Sequence, residues 1–288
     1  MAALVLGTSA LAPASFVNVV RAAPALGVRS LDAAPYYGEV LQLLAVTREA
    51  DALGVTTRIP CVGDPSLANV DAVYPAGWVA RSVEQQLRAS GRTHFDLVLL
   101  ERWDGRWHPT RVAAEARAAI GSGACRAFGV SLPDTNPEAA LDLVACGPFT
   151  VVQGDTSLMR RRFVRDFAPR YRSLGARIQG RAPFFHGALR GDFDREGEAP
   201  RNRRHAGMRR MLQSLNGAGA RQRYLAWAGE RGLALEAVAL AFALSEVDDV
   251  VVGVSSAAQL GQLGETLSAA RALSLAELAS LPDVRVGE

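Results

Sequence analysis

Short apolar runs, most of them rich in β-branched residues, alternate along the chain with longer segments whose apolar positions recur every three to four residues. Runs of the first kind lie at 4–6 (LVL), 29–34 (RSLDAA), 56–62 (TTRIPCV), 95–101 (FDLVLLE), 126–131 (RAFGVS), 149–155 (FTVVQGD), 176–181 (ARIQGR) and 248–254 (DDVVVGV). Their nearly continuous apolar character is that of strands covered on both faces. Segments of the second kind, among them 78–90, 109–123 and 235–246, read as helices. Several end on glycine, as in RASG and ALG, where the chain must leave a helix through a left-handed turn.

Eight strands alternating with helices in 288 residues predict a single-domain α/β protein, a (β/α)8 TIM barrel over 1–288. The alternative is a doubly wound sheet, which a glycine-rich turn after the first strand would favour. The stretch VLGTSALAP contains no G-x-G-x-x-G, and there is no P-loop. Residues 182–216 include a polar, charge-dense stretch and read as a loop or lid over the barrel mouth.

Composition narrows the chemistry. The net charge is +3 with both signs dispersed, and no basic run is interleaved with aromatics, which argues against a nucleic-acid partner. All 32 basic residues are arginine, so no mechanism here uses a lysine amine. The cysteines Cys61, Cys125 and Cys146 share no metal spacing, the four histidines are scattered, and no metal site is expected. The N-terminus lacks a basic leader region and reads as a first buried strand, and no apolar run approaches a membrane span. The expectation is a cytoplasmic monomer or homodimer without a membrane partner.

In such a barrel the chemistry gathers at the C-terminal ends of the strands. The polar residues there are Asp32, Tyr36, Tyr37, Glu101, Arg102, Ser131, Gln153, Asp155 and Arg181. Each has a duller use: Asp32 as a helix cap, Gln153 as a partner for loop backbone, Arg181 as a surface ion pair. Their convergence is the case for an enzyme. His108 and His186 lie in loops after the fourth and seventh strands and are accessory candidates, though a surface or loop-packing role accounts for them more simply.

The order of these pieces resembles the aldo/keto reductase superfamily over nearly the whole chain. LDAAPYYGE is similar to its D-T-A-x-x-Y-G-x-E element, GACRAFGVS to G-K-x-R-x-x-G-V-S, and FTVVQGDTSLMRRR to its V-Q-x-x-y-N-l-x-d-x-R segment. RIQGRAPFFHGAL resembles R-S-x-F-L-Q-G-x-L of one bacterial branch, and VVVGVSSAAQL the last strand and its nucleotide loop. The resemblance implies a catalytic Tyr at Tyr37, assisted by a Lys paired to an Asp at Asp32, and a substrate-orienting His whose place is taken by Glu101. The Lys position falls near Val62, with Arg58 as a substitute cation only if the register slips. On this reading Asp32 lacks its cation and Tyr37 is a phenol of nearly ordinary acidity beside two carboxyls, Asp32 and Glu101.

The resemblance also implies a nicotinamide cofactor, NADPH or NADH, with weakened contacts. Ser131 and Gln153 match the residues that hold the nicotinamide amide, Leu132 replaces an Asn, and Arg181 stands where a ring would stack. Ser255, Ser256 and Gln259 line the nucleotide loop, where Gln259 and Leu263 replace the usual Arg and Asn. Two functions stay open. One is acid–base chemistry without redox, such as elimination, epimerisation or enolisation of an oxygenated carbonyl intermediate. The other is NAD(P)H-dependent carbonyl reduction or alcohol oxidation. A non-catalytic binding subunit is a third alternative. Two Trp in ERWDGRWHPT and many Arg in the long loop suggest a small-molecule substrate that is anionic or polyhydroxylated.

Overall fold

The computed structural model describes residues 2–60, 75–103, 109–191, 193 and 217–284. Eight parallel strands close into a barrel in chain order: β1 (Ala3–Gly7), β2 (Val28–Asp32), β3 (Gly54–Ile59), β4 (Phe95–Glu101), β5 (Cys125–Ser131), β6 (Phe149–Asp155), β7 (Arg177–Arg181) and β8 (Asp249–Gly253). The ring shuts where β1 pairs with β8, from Ala3 opposite Asp249 to Gly7 opposite Gly253. Around it run helices that include α1 (Phe16–Ala22), α2 (Val40–Val46), α3 (Trp78–Ser90), α4 (Pro109–Gly121), α5 (Leu141–Cys146), α6 (Ala168–Ser173), α7 (Gly217–Gly229), α8 (Leu235–Glu246), α9 (Ala257–Ala272) and α10 (Leu275–Ala279).

The expected barrel is present, and β4, β6, α3 and α8 have the predicted bounds. The third strand differs. It starts at Gly54 and stops at Ile59, because Pro60 has no N–H to continue the ladder. Helix α3 closes on Gly91 at φ 63°, and the Gly91 N–H reaches back to the Arg88 carbonyl. His108, Cys61 and Val62 lie outside the described residues, as does most of the predicted lid.

Alternation along each strand sends every second side chain into the barrel. The outward set, including Leu4, Leu31, Val55, Val98, Val130, Val152 and Ile178, joins the large core under the helices. Inside, Leu97, Leu99 and Val151 form a small apolar cluster of their own. Gly129 lies between two of these side chains. A Cβ there would come within 2.5 Å of the Val151 carbonyl oxygen and 2.7 Å of a Leu99 methyl. Residues paired across neighbouring parallel strands face the same side, and the pairs Asp32–Thr56, Thr56–Leu97, Glu101–Ser131, Ser131–Gln153 and Gln153–Gln179 carry the inward face around the wall. Above the apolar cluster this face turns polar: Asp32, Arg58, Glu101, Ser131, Gln153, Asp155, Gln179 and Arg181.

Candidate active site

Asp32 ends β2 and Arg58 is the penultimate residue of β3, and the two meet inside the barrel. Arg58 Nη2 lies 2.6 Å from Asp32 Oδ2, with side chains only 6% and 2% exposed. The Arg58 carbonyl accepts from Gln86 Nε2 of α3 at 2.9 Å, which fixes the strand beneath the guanidinium. Burial pushes the Arg58 pKa down, but the charges of Asp32 and Tyr37 and hydrogen bonds to both outweigh it, so the guanidinium is held above its ordinary value. Arg58 therefore touches the carboxylate and the phenol at once.

This corrects three expectations. Asp32 is not left without a cation, because it pairs with Arg58. The cation comes from position 58, within the strand, rather than from position 62. Tyr37 does not stand beside carboxyls alone, because a permanent positive charge sits against it and favours negative charge on its oxygen.

The turn after β2 presents Tyr37. Its N–H donates to the Ala34 carbonyl at 3.0 Å, and Tyr36 packs edge-on against its ring with centroids 5.1 Å apart. Tyr37 is half-buried, whereas Tyr36 is exposed. Glu101 closes β4 at the same end of the barrel, partly buried. Arg102 then takes a left-handed backbone at φ 53°, which turns Trp103 into the core, where its indole donates to the Ala139 carbonyl at 3.2 Å.

A chain of buried amides continues from Asp32. Gln153 Nε2 donates to Asp32 Oδ2 at 3.4 Å and to Gln179 Oε1 at 2.7 Å, and Ser131 Oγ donates to Gln153 Oε1 at 2.9 Å. Arg181 Nη2 donates to the Leu132 carbonyl at 2.9 Å and to Asp134. Ser255, Ser256 and Gln259 gather at the start of α9. The Gln259 side chain accepts from the Ser255 N–H at 2.9 Å, and the Ser256 hydroxyl accepts from the Gln259 N–H at 3.3 Å. Leu263 is buried in the core. His186 is exposed, at φ 54°, with its charge acting on Asp134.

The donor set fits a nicotinamide dinucleotide in part. The Ser131 hydroxyl, having donated its proton, keeps acceptor capacity for an amide, and the N-terminus of the 16-residue α9 suits a phosphate. Gln259 is committed to the helix cap and Leu263 to the core, so neither offers a charge to a 2′-phosphate. Among the described residues no group of three or more potential ligands is placed to hold a metal ion, and no helix is long and apolar enough to cross a membrane.

Reading from sequence missed Gln179 and Arg160, and admitted Arg58 only as a substitute cation in a shifted register. Gln179 and Arg58 sit within apolar strands on inward positions, and that parity was the available signal. Arg160 lies in a turn, where spacing carries no such signal.

A closed eight-stranded α/β barrel with a carboxylate, a cation, a phenol and a second carboxyl at its C-terminal mouth defines a class of barrel enzymes. The aldo/keto reductase family model matches residues 3–281, and the chain belongs to that family. Its usual activity is NAD(P)H-dependent oxidoreduction. The fold is similar to that of the glycerol dehydrogenase AKR11B4 from Gluconobacter oxydans, at a TM-score of 0.78 and 21% identity over 96% of this chain and 89% of that one. It is also similar to the aldo-keto reductase AKR11C1 from Bacillus halodurans in its holo form, at 0.74 and 18% identity over 96% and 89%. No curated protein matches the chain.

Proposed function

We propose that the protein is an NAD(P)H-dependent carbonyl reductase or alcohol dehydrogenase in which Arg58 replaces the amine that the chain lacks. The observation that carries this reading is the contact of Arg58 with both Asp32 and Tyr37. Tyr37 donates its phenolic proton to the carbonyl oxygen of the substrate. Arg58 stabilises the phenolate left behind, and Asp32, steadied by Gln153, holds Arg58 in place. The guanidinium keeps its own proton at any working pH, so the phenol is reprotonated from solvent rather than through Arg58. In its protonated form Glu101 is a second donor to the same oxygen. The reduced nicotinamide, when bound, supplies the hydride. Ser131, Gln153 and Arg181 would hold its nicotinamide end, and Ser255 and Ser256 with the start of α9 would hold its phosphates. With Gln259 and Leu263 in the nucleotide loop, NADH is the preferred form.

One observation favours a second reading, acid–base chemistry without redox. Gln153 spends its hydrogen bonds on Ser131, Gln179 and Asp32, inside the barrel wall. Titration of the chain with NADH and NADPH by fluorescence or calorimetry separates the two. Binding of NADH, with its oxidation dependent on added carbonyl compounds, supports the reductase. Absence of binding at millimolar nucleotide sinks it and leaves the acid–base reading.

A further inference from the structure

Three charged groups outside the Asp32–Arg58–Tyr37 set meet at the barrel mouth. Asp134 lies in the turn after β5, Arg160 in the turn after β6, and Arg181 ends β7. Arg160 Nη1 donates to Asp134 Oδ2 at 2.7 Å, and Arg181 Nη2 donates to Asp134 Oδ1. One carboxylate is thus gripped on both oxygens by guanidiniums from two different elements. That is how arginines recognise a carboxylate or phosphate on a ligand.

Both arginines are anchored without Asp134. The Arg160 guanidinium lies over the Phe185 ring, 5.3 Å from its centroid. Arg181 also holds the Leu132 carbonyl. The loop that seats Phe185 is strained, with Ala182, Phe185 and His186 at φ values of 53°, 48° and 54°. Non-glycine residues of this kind cost about 1–3 kcal/mol each and persist where the surroundings fix them. Asp134, by contrast, is carried by a short turn, and its side chain is 26% exposed. It is the exchangeable member of the set.

We propose that Arg160 and Arg181 form an oxyanion-binding site for the carboxylate or phosphate group of a carbonyl substrate, and that Asp134 occupies this site as an internal stand-in. The assignment rests on the reaction proposed above and names its substrate class. Arg181 lies within the field of Arg58, which links the site to Tyr37. Beneath it Asp155 is buried, with Oδ2 3.6 Å from Arg160 Nη1. Burial and the neighbouring Asp134 raise the Asp155 pKa to about 7 against the pull of Arg181, Arg160 and Ser157. Near neutral pH an incoming anion therefore does not meet a second full negative charge.

The test uses inorganic phosphate and acetate as probes, titrated calorimetrically into the full chain. Asp134→Asn is expected to tighten both probes by about tenfold or more, by removing the internal competitor. Adding Arg160→Gln is expected to abolish that gain. No tightening in Asp134→Asn, or tightening that survives Arg160→Gln, overturns the proposal. Should Asp134→Asn fail to fold, the wild-type chain is compared with Arg160→Gln alone, and equal probe binding overturns it. A second arm adds saturating NADH. Probe binding that persists beside NADH supports the substrate assignment, whereas displacement assigns the oxyanion to the nucleotide and defeats it. Probe binding without any NADH binding supports the site while removing the reductase reading, so the two failures are distinguishable.

Discussion

Replacing Arg58 by Met keeps much of the side-chain volume and removes the cation. Asp32 would then be a carboxylate whose side chain is 2% exposed, facing an apolar neighbour. At an effective dielectric of about 20, unit charges 2.6 Å apart attract by about 6 kcal/mol. Desolvation of both ions offsets most of this, so the intact pair adds little net stability. Breaking it from one side exposes the uncompensated penalty, about 3–5 kcal/mol. Urea unfolding followed by circular dichroism and tryptophan fluorescence measures the loss. The partner variant, Asp32→Leu with Arg58→Met, removes both charges and is expected to regain most of the stability. Arg58→Lys restores a charge and is expected to fall between wild type and Arg58→Met. A loss below about 1 kcal/mol in Arg58→Met, or a double variant no more stable than the single one, would refute a buried ion pair at the centre of the site.

Tyr37→Phe is expected to lower kcat for carbonyl reduction by about 10²–10⁴ while the NADH dissociation constant stays unchanged; equal activity removes Tyr37 as the acid. Asp155 ties stability to pH. Its folded pKa of about 7 lies above the ordinary 3.8, so the folded chain holds the proton more tightly. Its contribution is full below about pH 4 and is lost as pH rises to about 7, up to about 4 kcal/mol. Asp155→Asn should flatten that window in pH-dependent urea midpoints, and an unchanged slope would contradict the assignment. Gly129→Ala places a methyl against the Val151 carbonyl and Leu99 and should destabilise the chain by about 1–3 kcal/mol, read as a lower thermal midpoint. An unshifted midpoint would mean that the inner wall yields.

Much of the fold was legible because its causes are local. Apolar runs of strand length mark β4 and β6 to the residue, and Gly91 marks the end of α3. Pro60 was equally visible, yet the predicted third strand ran through it, and the error moved the expected cation from position 58 to position 62. Tyr37 and Asp32 were found by their motif, and Ser131 and Gln153 by their place at strand ends. Gln179 was passed over, and Arg58 kept only as a substitute, because a polar residue inside an apolar run reads as an interruption until one knows that the inner wall is a polar layer.

The sequence by itself determined the alternation of strands and helices, and hence the barrel. Its lack of lysine also determined that any permanent cation in the site must be an arginine. Which arginine does so was a tertiary decision. It depends on β2 and β3 lying side by side with Asp32 level with Thr56, which brings the next inward residue of β3 against the carboxylate. The grip of Arg160 and Arg181 on Asp134 is likewise tertiary, since the turns after β5 and β6 and the end of β7 meet only when those three strands lie side by side. The physical reason is range. Hydrophobic periodicity and backbone capping act over a few residues, while an ion pair is fixed by the distance between strands far apart in the chain, which the strand register sets.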